Sequence, residues 1–592
     1  MATVATTLAQ AFEQQAQKYG ARTFLRDKQG KTWRDHSWNE IARRVARLRS
    51  GLVRLGIERG DHIAILSENS PQWVIVDQAV LGMGAVVVPL YTTSGAEDIC
   101  HVLADSGARL IAVNGDPLVR KIRTLASKFP DVEGIIALHP EAKAIDDGGL
   151  EVITLEQASA FEPMPAIEGS LNDLATIIYT SGTTGLSKGA MLSHGNILAN
   201  CASNLEALSL NEDDTVLSIL PVAHSFERTA GYYTVMVGGG TIAYAEGLGQ
   251  IAQNLIEIQP TVVLTVPRLL EVIHSRIMRT FDSLPPFRRR IFEMAIAAGE
   301  RAAGYRHRGR PLPLGKSVAM ALYRMLVLGK IRSIFGSRVR YVISGGAPLP
   351  VEINRFLSAA EVPIVEGYGL TEAAPVVSCN LHGQTRIGTV GRPLPRIEVR
   401  TAFDGELLVR GANVMQGYYK REDETRELID SDGWLHTGDI GQIDAEGYIW
   451  ITDRKKEIIV LSGGKNVSPA YLEARLARDP YIAQACVVGD RRKHLAALLV
   501  PNFDNLAEEL KKLQLVGKHP EQLAAEPKLR ELFHARIHQL NLDLSDIEAI
   551  AAFTLIPWPF SQENGELTPT LKLRRKAVQE HYRKEIEAMY GG

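Results

Sequence analysis

Ile177-Ile-Tyr-Thr-Ser-Gly-Thr-Thr-Gly-Leu-Ser-Lys-Gly189 is the stretch on which the reading of this chain turns. Its apolar start reads as a strand. A loop of Gly, Ser and Thr follows and ends on one lysine. Glycines such as Gly182 and Gly185 let consecutive backbone N–H groups turn inward as an anion nest. The hydroxyls of Thr180, Ser181, Thr183 and Thr184 add donors, and Lys188 adds positive charge. A triphosphate needs that combination. The nearest competitor, a Walker A loop GxxxxGK[ST], does not fit. Counted from Gly182, its second glycine would fall at Ser187, and Gly189 stands where the magnesium-binding Ser or Thr belongs.

Outward from the loop the pattern is α/β. Leu8, Phe12 and Ala16 share one helical face, as do Ile41, Val45, Leu48 and Leu52 within Trp38–Leu55. His62–Leu66 and Ala85–Leu90 are short apolar runs that flank a helical Trp73–Met83. The rhythm returns at Thr215–Leu220, Thr241–Ala243, Val262–Thr265 and Val339–Ile343. Such alternation predicts parallel sheets covered by helices. From about Ile387 short strands separated by Gly- and Asp-containing turns predict a small antiparallel sheet or barrel. Beyond the charged stretch Asp453–Glu457, a helix at Pro469–Arg478 and strands at Ala485–Val488 and Ala496–Pro501 suffice for a separate α+β domain. The predicted boundary divides residues 1–453 from 454–592.

Bulk properties exclude several classes. The chain has 592 residues, 45% hydrophobic and 23% charged, with a formal net charge of −2. That is too long for one compact core, and it lacks the basic excess of a general nucleic-acid binder. Cys100, Cys201, Cys379 and Cys486 lie far apart, which argues against a zinc site or disulfide framework. The N-terminus has no basic n-region or long apolar core, and no run is long enough to span a bilayer. The expected location is cytoplasmic, with peripheral membrane contact left open.

At the loop, and then over nearly the whole chain, the sequence resembles the adenylate-forming superfamily, and within it the long-chain fatty acyl-CoA synthetases. That resemblance implies a large N-terminal domain of two doubly wound sheets plus a small β-barrel, followed by a small mobile C-terminal domain. It also implies ATP, Mg²⁺ and coenzyme A. In Gly345-Gly-Ala-Pro348, residues Gly346, Ala347 and Pro348 match the segment that packs on adenine. In Glu366-Gly-Tyr-Gly-Leu-Thr-Glu372, Tyr368 would stack on the base and Thr371 would touch the α-phosphate or acyl carboxylate. Glu372 would hold Mg²⁺, with Thr180 completing the metal's shell. Asp439, in Trp434–Asp439, would accept the ribose hydroxyls with help from Arg454. Lys572, in Leu567–Arg575, falls at the position of the catalytic lysine, although Thr570-Leu571 replace the commoner Ser-Gly before it and Lys576 lies close. Lys456 matches the hinge about which the C-terminal domain turns. After that turn Gly463 and Gly464 would line the pantetheine tunnel.

Taken singly, each residue has an ordinary explanation: a solvated Glu, a half-buried Tyr, a turn Asp. Their joint occurrence in chain order favours the chemical reading. A carboxylate and an ATP α-phosphate repel one another, so a cation and preorganised donors must offset charge as phosphorus becomes pentacoordinate.

The acyl side is less sharply written. Leu220-Pro-Val-Ala-His-Ser-Phe-Glu-Arg228 resembles the long-chain subfamily and places His224 near the acyl entrance or carboxylate. Tyr232, Tyr233, Val235 and Met236 are candidates for the wall of an apolar tunnel, with Gly238–Gly240 at its floor. Between about Phe281 and Arg340 basic residues abound, and the acids after Asp282 are Glu293 and Glu300 alone. This insertion (281–340) reads as a basic amphipathic helical pair that could lie on an anionic membrane, pack as a solvated face or form a homodimer contact. The expected partners are a fatty acid, ATP and CoA, with no nucleic acid. The alternatives are loading of a separate carrier protein and a non-catalytic acyl- or nucleotide-binding regulator.

Overall fold

The computed structural model describes residues 5–139, 141–145, 148–180, 187–307, 312–381, 383–455, 457–463, 465–568 and 573–591. Ser181, Gly182, Thr183, Thr184, Gly185, Lys456, Gly464 and Lys572 lie outside the described residues.

The helix Trp38–Arg54 starts where the Ser37 hydroxyl accepts the Glu40 N–H, and it buries Ile41, Val45, Leu48 and Leu52. The helix Pro71–Gly82 carries apolar residues on every side, is capped by Ser70, and is buried almost throughout. Strand Val86–Leu90 is buried on both faces. That burial pattern requires cover above and below, as a parallel sheet provides.

Among the described residues the two large sheets have nine and eight strands. The eight-stranded sheet runs in the order Gly417–Tyr418, Lys188–Ser193, Leu174–Thr180, Val86–Leu90, His62–Leu66, Leu110–Val113, Gly134–Ala137, Glu151–Thr154. From Leu174–Thr180 onward it is parallel. Leu174–Thr180 and Lys188–Ser193 pair antiparallel, with Thr180 opposite Lys188. The loop predicted to hold phosphates therefore connects two neighbouring strands, and its two ends meet. In the nine-stranded sheet, Thr241–Tyr244, Thr215–Ser218, Val262–Thr265, Tyr341–Ser344 and Ile364–Gly369 are parallel, and Val376–Cys379 and then Arg392–Pro393 add antiparallel strands at that end. One continuous core joins Ile63, Val87 and Ile178 of the first sheet to Val216, Leu264 and Val365 of the second.

A four-stranded antiparallel sheet follows, in the order Glu398–Thr401, Glu406–Arg410, Leu435–Ile443, Ile449–Arg454. Beyond it, strands Ile482–Val488, Leu495–Pro501 and Ile550–Leu555 form a three-stranded sheet covered by helices. Two apolar clusters there draw their members from Ile459 to Tyr590 alone. All four cysteines are free.

Candidate active site

Tyr368 is the last residue but one of the strand Ile364–Gly369, while Asp439 and Arg454 stand opposite one another on the two last strands of the small sheet. The Tyr368 hydroxyl donates to Asp439 Oδ2 at 2.6 Å, and Arg454 Nε–H donates to Oδ1 at 2.9 Å. Asp439 is buried and Arg454 is half exposed. Burial and the neighbouring Asp439 carboxylate hold the Tyr368 phenol well above its ordinary range, so it remains a donor. The Asp439 carboxylate raises the Arg454 guanidinium in turn.

The side expected to take phosphates is built on the ends of the loop. Thr180 and Lys188 face each other across the hairpin, with Thr180 Oγ1 3.5 Å from the Lys188 carbonyl oxygen. Lys188 pairs with Glu424. Glu372 lies in a short turn of helix, Thr371–Ala373, and its Oε1 accepts the Tyr418 hydroxyl at 2.6 Å. The Met415 N–H donates to the Glu372 carbonyl oxygen at 2.8 Å, which ties the turn to the next segment. Thr371 and Ser225 hydroxyls are 2.9 Å apart. His224 Nδ1 accepts the Phe226 N–H at 3.2 Å.

The donors suit Mg²⁺. Glu372 and Thr180 offer one carboxylate and one hydroxyl, both hard oxygens. Among the described residues no three His, Cys, Asp or Glu converge as a metal cage. Mg²⁺ needs none, because it keeps waters and takes substrate phosphate oxygens.

A cavity of about 1510 Å³ joins these groups. Thr180, Lys188, His224, Gly346, Tyr368, Thr371, Glu372 and Arg454 all line it. Gly346 has φ +83°, so the turn at this wall requires glycine. A Cβ on its neighbour Gly345 would come within 3.1 Å of the Phe226 ring. Ala347 and Pro348 follow as exposed residues of the same turn. Gly463 is exposed in the turn between Ile459–Val460 and Asn466–Val467 and does not line the cavity.

The tunnel wall differs from its sequence reading. Leu208, Leu210, Ala230, Val262, Ile343 and Val376 face the cavity. Tyr232, Tyr233, Val235 and Met236 face the core instead. Both tyrosine hydroxyls donate to the buried Asp77, each at 3.0 Å. Asp77 also pairs with buried Arg228 at 2.5 Å, and Arg228 donates to Thr176 Oγ1 at 2.6 Å. The periodicity of a π-helical turn, Glu227–Tyr233, rotates these side chains away from the cavity and presents Ala230 to it. Gly238–Gly240 leave no room at a floor. A Cβ on Gly239 would lie 2.1 Å from the Tyr19 ring, and one on Gly240 would lie 2.9 Å from a carbonyl oxygen.

Sequence reasoning missed Tyr418, Glu424 and Glu227. Gly417-Tyr-Tyr419 followed by an acidic first turn at Glu422–Glu424 is a readable signal for the first two. Nothing local marks Glu227, which is fully buried with Oε1 accepting from Ser218 at 2.6 Å and Oε2 unpartnered.

This geometry has known counterparts. Residues 12–419 match the family of AMP-binding enzymes and residues 456–592 match the AMP-binding enzyme C-terminal domain. The chain is 35% identical to long-chain-fatty-acid–CoA ligase FadD15 of Mycobacterium bovis, over 94% of this chain and 92% of that one. It is 31% identical to long-chain-fatty-acid–CoA ligase 6 of Mus musculus, over 94% and 82%. Among solved structures, the adenylation domain of a carboxylate reductase from Mycobacterium chelonae superposes with TM-score 0.79 at 24% identity, covering 100% of this chain and 92% of that one. ATP-bound MatB from Rhodopseudomonas palustris gives 0.72 at 22%, covering 98% and 99%. The fold is that of the adenylate-forming enzymes. The chain belongs to the AMP-binding enzymes and, within them, to the long-chain acyl-CoA synthetase family.

Proposed function

We propose that this protein adenylates a long-chain fatty acid with ATP and transfers the acyl group to coenzyme A. One observation carries the reading: a single cavity is edged by Tyr368 and Arg454, which both bond the buried Asp439 behind them, by Lys188 and Glu372, and by an apolar wall from Leu208 to Val376. Adenine and ribose fit the first group, the phosphates the second, and a hydrocarbon chain the third.

The fatty carboxylate oxygen attacks the α-phosphorus, and the bond to the pyrophosphate oxygen breaks. Thr371, Lys188 and the loop donors bind the oxygens where charge grows. Glu372 with Thr180 would hold Mg²⁺, which when bound would supply further charge neutralisation at the phosphates. Asp439 fixes the ribose and Tyr368 the base, which holds the α-phosphorus in reach. Lys572 is the lysine assigned to the carboxylate and bridging oxygen. The CoA thiol, losing its proton to water, then attacks the acyl carbon, and AMP leaves as the acyl carbon–phosphate oxygen bond breaks. We assign residues 1–453 and 454–592 as two domains that change their relative orientation about Lys456 between the steps. Lys456→Pro should slow thioester formation and spare adenylation.

The deciding experiment supplies ATP, Mg²⁺, CoA and a panel of acids and measures pyrophosphate, AMP and CoA thioester. Thioester from long-chain acids is the expected result. Pyrophosphate without thioester would point to carrier loading, and neither product to a regulator.

The insertion supports a membrane contact as a finer reading. Its helices Pro286–His307 and Leu314–Tyr323 carry exposed Phe287 (75%) and Val318 (74%) among Arg288, Arg290 and Lys316. Apolar side chains beside cations suit an anionic lipid surface, where fatty acids also partition. No helix among the described residues is long and apolar enough to cross a membrane. Co-sedimentation with anionic vesicles should be salt-sensitive and should weaken in an Arg288→Glu/Arg290→Glu variant. A salt-insensitive protein that sediments alone as a dimer would assign this face to a homodimer.

A further inference from the structure

Tyr418 stands where three parts of the phosphate site meet. Its strand, Gly417–Tyr418, pairs antiparallel with Lys188–Ser193, so it borders the outgoing limb of the phosphate loop. Its hydroxyl donates to Glu372 Oε1 at 2.6 Å, and Lys188 Nζ lies 5.4 Å from its ring centroid. Burial and the Glu372 carboxylate hold the phenol well above its ordinary range, so this hydroxyl stays a donor. In the first turn of the next helix, Glu422–Leu428, Glu424 pairs with Lys188, and a looser contact of 3.7 Å joins it to Arg421. Lys188 and Glu424 both line the cavity, with side chains 27% and 37% exposed.

The lysine aimed at the phosphates is therefore held by a protein carboxylate. A lysine offers one charge on a flexible stem, so it swings readily between two anions. A polyanionic triphosphate outcompetes one carboxylate on arrival. After adenylation the balance shifts, because pyrophosphate must leave a site built to hold it. We propose that Glu424 is a positioning residue for Lys188, the counterion that takes the lysine back from pyrophosphate and holds it over Tyr418 until the next ATP binds. This rests on the adenylating reading above. The exchange makes and breaks no covalent bond; one ion pair replaces another.

A merely structural Glu424 would, on removal, displace the loop and weaken phosphate binding. A competing counterion does the opposite. Calorimetry with Mg²⁺-pyrophosphate on the full chain separates them. Glu424→Gln should bind pyrophosphate about three- to fivefold more tightly, the factor a partly exposed ion pair commands. In turnover the same variant should lower KM for ATP and kcat together. Glu424→Asp, charged but shorter, should fall between. Glu422→Gln, an exposed charge on the same helix, should match wild type. Unchanged or weaker pyrophosphate binding by folded Glu424→Gln overturns the proposal, and if that variant does not fold, the same comparison on Glu424→Asp decides. These titrations contain no fatty acid. Failure of every acid to give pyrophosphate in turnover would reject adenylation yet leave the Glu424 comparison readable.

Discussion

The Tyr368 hydroxyl lies 2.6 Å from one carboxylate oxygen of Asp439, and the other oxygen takes the Arg454 N–H at 2.9 Å. These residues come from two sheets and are 71 and 15 positions apart from Asp439 in sequence. The contact locks the end of the nine-stranded sheet against the small sheet at the cavity's edge. It also places Arg454, the last residue of its strand, directly before Lys455 and the proposed hinge. In the proposed mechanism, ribose binding and domain position would thereby be joined at one carboxylate.

Asp439→Ala should lower kcat/KM for ATP by about ten- to a hundredfold, the cost of losing charge-assisted hydrogen bonds. Tyr368→Phe removes one donor and leaves the ring, so it should cost less. KM for the fatty acid should stay near wild type in both. Steady-state pyrophosphate release, with each substrate varied in turn, checks this. An equal loss toward both substrates would mean the cluster is only architectural.

The acyl wall gives a second expectation. Ala230 faces the cavity from the π-helical turn, and Val376 faces it from the antiparallel strand Val376–Cys379. Ala230→Phe adds bulk where a long hydrocarbon chain would lie. The variant should prefer shorter acids, with loss growing with chain length. One misplaced or missing methylene is worth about 10- to 200-fold in such a pocket. A chain-length profile of CoA thioester formation reads it directly. A uniform loss across lengths would place the chain elsewhere.

Much of the fold was legible because burial wrote itself into the periodicity. The predicted strand Val262–Thr265 is the observed one, and the helix predicted at Trp38–Leu55 ends one residue earlier. Continuous apolar runs marked buried parallel strands, and turn residues marked the antiparallel part. The individual roles at the site are assigned by resemblance alone; what the structure adds is that Tyr368, Asp439 and Arg454 come together, and Thr180 with Lys188. What stayed hidden depended on partners distant in sequence. Tyr232 and Tyr233 read as tunnel lining because aromatic side chains suggest apolar surface. Their hydroxyls instead satisfy Asp77, some 155 residues away. A π-helical turn shifts the phase of side chains, and no sequence period announces it. Glu227 was invisible for the same reason.

Glu227 yields a pH-dependent prediction. Full burial pushes its carboxyl from 4.5 up to about 8, with the Ser218 hydroxyl offsetting only part of that. The folded state therefore binds a proton that the unfolded state releases between these values. Stability from this group is fully present below the unfolded value near 4.5 and is lost as pH rises toward about 8. Glu227→Gln keeps the shape and cannot ionise. Its thermal stability should fall less than wild type's between pH 6 and pH 9, and the two curves should converge at low pH. Parallel curves would show that the Glu227 carboxyl does not titrate in this window.

The last prediction concerns the C-terminal part. Arg575 begins the helix Arg575–His581, three residues after Lys572. Its guanidinium grips Glu473 in two-pronged fashion, Nη1 to Oε1 at 2.5 Å and Nη2 to Oε2 at 3.0 Å, and donates to the Val487 carbonyl oxygen at 2.9 Å. The pair is largely buried, so the helix that follows the proposed catalytic lysine is tied to both Pro469–Leu476 and the strand Ile482–Val488. Lys cannot replace such a planar fork without losing a contact. Arg575→Lys should therefore fold, yet leave the start of this helix less firmly placed. If Lys572 serves only the attack on the α-phosphorus, adenylation should slow about tenfold or more, in keeping with the sensitivity of catalysis to small displacements. Thioester formation from a supplied acyl-adenylate should change little. Measuring the two half-reactions separately decides the matter. Equal loss in both would place the role of Arg575 in the stability of the C-terminal part, and a thermal melt of the same variant would then show a matching fall.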